Sequence, residues 1–306
     1  MATLTGVCLT SSVEEVKEIQ SPWFRHLEAI KQISVEVGEE IVSLRAQGLQ
    51  NQEVVLENGK RVLQTNADIY ASEKIVEKLL ETFPECGVIS QDQMGLDPDW
   101  RRKDLLFLIN PIDNTKEFAK GSDDFHIQIG LLFKDKAVVG VSYYPARKTF
   151  VWAVQGERAW IEKEGKKEQL KAQPCGRNVL LKSSSHEKIS PFLIGFDEIV
   201  DTPFSSTSRL LNMIEGHSNL YISLGALESG KKGAIWNYGA NDLIAKEARL
   251  SLTTLDGSPI DLREEEALLS GGIVLTSDSE LAQSIHRISK DIIAALQGEK
   301  SEEKEN

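Results

Sequence analysis

Apolar residues recur at helical spacing through residues 13–49, with Val13, Val16 and Ile19 in one set and Leu27, Ile30, Ile33, Val37 and Ile41 in another. Ser21-Pro22 divides the sets, because proline biases the residue before it away from helix, so two helices are expected. A third is predicted over residues 69–83, where Ile69, Ile75, Val76, Leu79 and Leu80 share a face, Asp68 stands where a cap is needed and Pro84 ends the run. Short apolar or alternating runs follow at 88–90, 105–109, 127–133, 137–144, 149–154 and 158–162. Gly140, Pro145-Ala146-Arg147 and Gly156-Glu157 mark bulges or turns among them, which makes a strand-rich, mostly antiparallel middle. Further on, strands near 179–182, 220–223, 250–255 and 272–276 alternate with helices near 208–216, 237–248 and 280–297.

This pattern divides the chain into an α+β half over 1–162, a polar connector over 163–177, an α/β half over 178–297 and a charged, frayed tail over 298–306. Its 306 residues are enough for two halves that each bury a core. The net charge of −12 disfavours nucleic acid, and no basic stripe offsets it. With no apolar run of membrane length and no leader pattern after Met1, the expectation is a cytoplasmic protein without a membrane partner. Cys8, Cys86 and Cys175 are odd in number and far apart, so neither a disulfide framework nor a clustered metal site is read from them.

The chemistry is concentrated in the stretch Ile109-Asn110-Pro111-Ile112-Asp113-Asn114-Thr115-Lys116-Glu117-Phe118, preceded by Ser90-Gln91-Asp92 and followed far downstream by Trp236-Asn237-Tyr238-Gly239. Together these resemble the magnesium-dependent, lithium-sensitive phosphatases related to inositol monophosphatase, whose motifs read Ser-Glu-Glu, Asp-Pro-Ile/Leu-Asp-Gly-Thr and Trp-Asp. Thr65-Asn66-Ala67-Asp68, Thr115-Lys116-Glu117-Phe118 and Ser183-Ser184-Ser185-His186 point to the bacterial 3'(2'),5'-bisphosphate nucleotidase branch. The resemblance runs in order from about residue 30 to 276. It implies a layered α-β-α-β-α sandwich of the sugar-phosphatase type, with an antiparallel sheet in the first half and a smaller α/β second half.

Family members neutralise a phosphate dianion and activate water with magnesium ions, which prefer hard, anionic oxygen ligands. By resemblance the metal positions fall on Gln91, Asn110, Asp113 and Asn237, with the Ile112 carbonyl as a further donor, and only Asp113 keeps its charge. Each of the other three exchanges a carboxylate for a carboxamide of the same shape. A pair of unit charges at 4 Å is worth about 4 kcal/mol at an effective dielectric near 20, and a dication doubles each term. Magnesium binding is therefore expected to be weak or absent.

The resemblance also assigns Thr115 to orient the attacking water, and places a further acidic position near Lys60. Asn114 replaces the motif glycine and is the non-glycine residue best suited to positive φ. Lys116, at a loop-to-helix junction, is a candidate anion contact. Ser185 with His186, and Ser206 with Arg209, match the family's grip on a second phosphate and sugar, whereas Ser223 stands where an arginine is expected. Thr115 and Asn237 also have a purely structural reading as helix caps.

Three readings follow. In the first, the chain is a pseudophosphatase that binds esters like 3'-phosphoadenosine 5'-phosphate, because amide N–H groups donate directly to phosphate where carboxylates need a metal. In the second it is a working bisphosphate nucleotidase or inositol-phosphate phosphatase that uses Asp113, Thr115 and an inward-turned Asp92. In the third it is a regulatory partner of an active paralogue. A homodimer is the family expectation.

Overall fold

The computed structural model describes residues 21–55, 61–93, 98–173, 178–182, 186–196, 198–200, 204–224, 227, 233–264, 268–269 and 271–297. The helix expected around Val13, Val16 and Ile19 and the tail over 298–306 lie outside them. The second expected helix is α1 (Phe24–Gln47), whose buried residues include Leu27, Ile30, Ile33, Val37 and Ile41. A hairpin of β1 (Asn51–Val55) and β2 (Arg61–Thr65) leads into α2 (Asn66–Thr82). The sequence pattern does not show this hairpin, because its first strand is exposed and carries no apolar alternation.

The cap of α2 differs from the expectation. Thr65 is the N-cap and Asp68 sits in the first turn, each satisfying the other's backbone N–H in a capping box.

The first sheet has seven strands in sequential order: β3 (Gly87–Ser90), β4 (Leu105–Asp113), β5 (His126–Phe133), β6 (Lys136–Tyr144), β7 (Thr149–Val154), β8 (Ala159–Lys163) and β9 (Lys166–Leu170). Only the β3–β4 pairing is parallel. A one-turn helix, α3 (Thr115–Ala119), follows β4. The polar stretch 163–177 begins as β9 rather than as a connector, because β8 supplies a full ladder of backbone partners to exposed, charged residues.

The second sheet is mixed. Strand β10 (Asn178–Lys182) pairs in parallel with β11 (Glu198–Val200) and β12 (Leu220–Ser223), and β12 pairs antiparallel with β16 (Ile273–Thr276), which takes β14 (Ser251–Thr254) on its other side. A separate two-stranded pairing joins β13 (Gly233–Ala234) to β15 (Leu268–Leu269). The helices of this half are α4 (His186–Ile189), α5 (Ser206–Ile214), α6 (Gly239–Glu247), α7 (Ser279–Arg287) and α8 (Ser289–Gln297). The helix expected over 280–297 is thus two, parted at Ile288.

Strand alternation sorts the core into layers. Phe107, Ile109, Ile129 and Val141 face α1 and α2, whereas Leu106, Leu108 and Ala153 face α6. On the far side of α6 lie Tyr221, Leu252 and Leu275 of the second sheet, whose opposite face packs Ile222 and Val274 against Ile285 and Ile292 of α7 and α8. The five layers are the expected α-β-α-β-α sandwich. Among the described residues no helix is long and apolar enough to cross a membrane.

The sandwich closes because α6 comes unusually near the first sheet. A Cβ on Gly130 would lie 2.4 Å from the carbonyl carbon of Gly239, and one on Gly140 would lie 2.6 Å from the carbonyl oxygen of Ala240. These are backbone atoms that cannot swing aside. The approach sets Asn237 and Asn241 over the end of β4. Gly140→Ala should lower unfolding stability by about 1–3 kcal/mol in denaturant titration, the range typical of overpacking. A loss below 0.5 kcal/mol would mean that the contact is slack.

Candidate functional site

Where β4 ends, the regular strand fails in a useful way. Asn110 and Asp113 are three apart and would face opposite sides of a regular strand, but the register with β5 shifts between them. Pro111, which has no N–H to give to the ladder, lies in the shifted segment. Both side chains come together on one side, with Asn110 Nδ2 at 3.3 Å from Asp113 Oδ2. The next residue, Asn114, has φ 74° and ψ 41°, the left-handed conformation expected of it, and its amide donates to the Asp124 carbonyl at 2.9 Å. Thr115 then opens α3, so Asn114 rather than Thr115 holds the cap position.

These residues line a cavity of about 440 Å³. Gln91, Asn110, Ile112, Asp113, Asn114 and Thr115 reach it from the first half, together with Lys116. Ser206, Arg209 and Asn237 reach it from the second half. Asp92 does not line the cavity, and its carboxylate accepts from Gln64 Nε2 at 2.6 Å. Ser185 lies outside the described residues, and for His186 the backbone alone is described. Ser223, at the position of the missing arginine, also lines the wall.

Two of the amides are bonded to each other, and the third to the indole beside them. Asn110 Nδ2 donates to Asn237 Oδ1 at 2.7 Å as well as to Asp113. Trp236 Nε1 donates to Gln91 Oε1 at 3.1 Å. The other carboxylate oxygen of Asp113 accepts from the Ser206 backbone N–H at 3.0 Å. Burial pushes the Asp113 carboxyl up, but the nearby His126, Arg209 and Ser206 outweigh it and hold it below the usual carboxylate range. Buried Gln128 lies next to Trp236, Asn237 and Asn241 but does not line the cavity; with its amide oriented so that both ends are satisfied, its NH2 donates to the carbonyls of Trp236 and Asn237, each at 3.0 Å, and its oxygen accepts from Asn241 Nδ2 at 3.1 Å. Two buried atoms of cavity-lining residues are left over among the described residues: Asn110 Oδ1 and Arg209 Nε have no partner.

The cationic side of the cavity is Arg209 and Lys116. The Arg209 guanidinium lies over the Tyr221 ring at 5.3 Å from its centroid, and its Nη1 donates to the Phe204 carbonyl. Such stacking and backbone anchoring fix a planar cation in place.

Sequence reasoning missed Asp68. It read that residue only as a cap, and placed the family's further acidic position near Lys60, which lies outside the described residues. In the structure Thr115 Oγ1 donates to Asp68 Oδ1 at 2.9 Å and approaches the Ile112 carbonyl at 3.1 Å, so a buried carboxylate stands directly behind the threonine hydroxyl. The signal was present in Thr65-Asn66-Ala67-Asp68, since a capping-box carboxylate uses one oxygen on the helix end and leaves the other free. Burial, against the restraint of hydrogen bonds from Thr65, raises the Asp68 carboxyl to about 6.

A sequence model of the inositol monophosphatase family matches residues 25–294. The chain belongs to that family. Among its relatives, the 3'(2'),5'-bisphosphate nucleotidase CysQ of Salmonella typhimurium is 28% identical over 217 residues, covering 69% of this chain and 84% of that protein. The inositol-1-monophosphatase of Bacillus subtilis is 22% identical over 268 residues, covering 84% and 92%. A crystal structure of an IMPase/NADP phosphatase with Mg2+ and phosphate superposes with a TM-score of 0.66 at 17% identity, over 84% of this chain and 92% of that one. These confirm the family and the fold expected from the motifs.

The Mg2+ held by that neighbouring structure is an ion that prefers anionic oxygen donors. Among the described residues no group of three or more His, Cys, Asp or Glu side chains converges on a point. Of the positions carried over by resemblance, Asp113 alone is a carboxylate, and an N–H of Asn110 points at it.

The Asp68 environment has a pH signature. Because its carboxyl is raised in the fold, the protonated form is the favoured one, and this contribution to stability is full below about pH 4 and lost as pH rises through about 6. The separation from 3.8 to about 6 corresponds to roughly 3 kcal/mol at the limit. Relative to the parent, Asp68→Asn should therefore gain stability between pH 4 and pH 7 in parallel denaturant titrations. A flat difference would contradict the burial argument.

Proposed function

We propose that the chain is a phosphomonoester-binding member of the family, with esters like 3'-phosphoadenosine 5'-phosphate as its ligand class, in which magnesium-dependent hydrolysis is lost or strongly weakened. The observation that carries this reading is the Asn110 amide, whose Nδ2 bridges Asp113 Oδ2 and Asn237 Oδ1. An N–H donor placed between two oxygens offers them hydrogen bonds and repels a cation seeking the same oxygens. Deleting three carboxylates while one stays removes most of the attraction that would hold paired dications.

A phosphate ester is held instead by hydrogen-bond donors and fixed cations, chiefly Arg209 and Lys116, both of which line the cavity. Water outside the site is the natural competitor, and the ester's dianion faces the single charge of Asp113 rather than a cluster. The same reading takes the protein to be cytoplasmic and, by family resemblance, a homodimer that binds small-molecule phosphate esters.

A specific observation favours a second reading, an active metal-dependent nucleotidase or inositol-phosphate phosphatase. Thr115 lines the cavity and its hydroxyl donates to the buried carboxylate of Asp68 behind it, an arrangement suited to orienting water at the threonine. The chemistry of that pair needs an electrophile whose charge is already neutralised, and here the neutralising carboxylate–metal cluster is reduced to Asp113.

Calorimetry with 3'-phosphoadenosine 5'-phosphate in the presence of EDTA distinguishes the readings. Binding that survives EDTA, with turnover in magnesium no higher than that of Thr115→Ala, is the expected outcome. Binding that appears only with magnesium, or turnover clearly above the Thr115→Ala control, would favour the active phosphatase. Restoring Gln91→Glu, Asn110→Asp and Asn237→Asp together should bring back magnesium-dependent binding, read as a heat that EDTA abolishes.

A further inference from the structure

The cavity has walls from both halves of the chain, and Asp124, outside it, touches the wall-bearing segments of each. Asp124 lies on the turn before β5, in the first half. Its carboxylate takes its hydrogen bonds from Ser205 and Ser208 at the start of α5, in the second. Oδ2 accepts from the Ser205 backbone N–H at 2.9 Å, and Oδ1 accepts from Ser205 Oγ at 3.1 Å and from Ser208 Oγ. Arg147 Nη2 approaches the same Oδ1 from the solvent side at 4.0 Å. The Asp124 backbone carbonyl meanwhile accepts from Asn114 Nδ2 at 2.9 Å, within the motif loop.

Ser205 is the N-cap of α5, and its own hydroxyl also accepts from the Ser208 N–H at 3.3 Å. A carboxylate set on this first turn is doubly placed, accepting from a donor that the helix leaves over and lying at the positive end of its dipole. The Asp124 clasp therefore fixes where α5 begins. One residue later the Ser206 N–H meets Asp113, and one turn on, Arg209 enters the cavity. Neither Asp124 nor Ser205 nor Ser208 lines the cavity.

We propose that Asp124 is a positioning residue for the site. By holding Asn114 through its carbonyl and the first turn of α5 through its carboxylate, it sets the distance between the motif loop and Arg209, and with it the grip on an ester lying between them. This rests on the binding reading above for its functional consequence. Its structural content, that the clasp and not packing alone holds α5 in place, stands by itself. Tyr144 reinforces the clasp from below, its hydroxyl 3.0 Å from Ser208 Oγ. The two serine hydroxyls, 2.9 Å apart, can bond each other but cannot replace the carboxylate, whose removal leaves the Ser205 backbone N–H without its acceptor.

Two measurements test the proposal on the full chain. Asp124→Ala should weaken binding of 3'-phosphoadenosine 5'-phosphate about tenfold to a hundredfold in calorimetry below the unfolding transition, the scale expected of a small displacement of binding groups. Asp124→Asn, which keeps one acceptor oxygen, should fall between the two. Lys31→Met, which breaks the buried Lys31–Glu162 ion pair within the first half, serves as a control that lowers stability without touching the clasp. Hydrogen exchange should quicken across residues 204–214 in Asp124→Ala and stay unchanged in α2. An affinity loss no larger than that of Lys31→Met at matched stability, or unaltered exchange in α5, would overturn the proposal. If the parent protein fails to bind the ester, the binding reading fails, and exchange in α5 alone then decides the clasp: quickened exchange upholds it and unaltered exchange refutes it.

Discussion

One hydrogen-bond donor governs the site. The amide of Asn110 stands between the oxygens of Asp113 and Asn237, at 3.3 and 2.7 Å, and supplies as N–H donation the neutralisation that a phosphatase of this family obtains from cations. Carboxylates packed this closely would repel one another by several kcal/mol at any interior dielectric unless a metal intervened. Carboxamides of the same shape remove the repulsion and, on the binding reading proposed here, the need. On that reading the amides of Gln91, Asn110 and Asn237 act as one change: Asn110 bonds Asn237 and the lone charge of Asp113, and the indole of Trp236, next to Asn237, bonds Gln91.

The fold makes that cluster possible by bringing α6 against the first sheet. Gly130 and Gly140 leave the backbone of Gly239 and Ala240 no Cβ to meet, and the close seam places Asn237 within reach of a strand that is 127 residues earlier in the chain. The break in β4 around Pro111 does the complementary work, turning Asn110 and Asp113 to the same side. Beneath them a buried polar layer carries the contact onward: Asn241 Oδ1 accepts from Thr207 Oγ1 at 2.9 Å, and Thr207 Oγ1 lies 3.0 Å from His126 Nε2. Such a layer is stable only when nearly every member is partnered, which ties the geometry of the two halves together.

Much of this was legible in the residues. Helical spacing from Leu27 to Ile41 gave α1, the apolar runs gave β3 to β8 with small errors at their ends, and the motif order gave the layered sandwich. The left-handed Asn114 was foreseeable because few other side chains tolerate that backbone. Elements stabilised by partners rather than by their own composition were not legible. The β1–β2 hairpin and β9 are exposed and polar, so their residues show no period until a neighbouring strand is present. Asp68 was misjudged for a related reason, since a capping carboxylate looks the same in sequence whether or not its second oxygen meets Thr115. The closeness of Asp124 to α5 has no local signature at all.

The central claim is that a pocket reduced to one carboxylate, with an N–H directed at it, does not hold paired divalent cations. Electron paramagnetic resonance of Mn2+ titrated into the purified protein at millimolar concentration counts bound ions directly, free of any assay for turnover. The account predicts that the free-ion signal grows in step with added metal, as it does in protein-free buffer. Depletion of that signal by two equivalents per chain, reversed by magnesium, would contradict it.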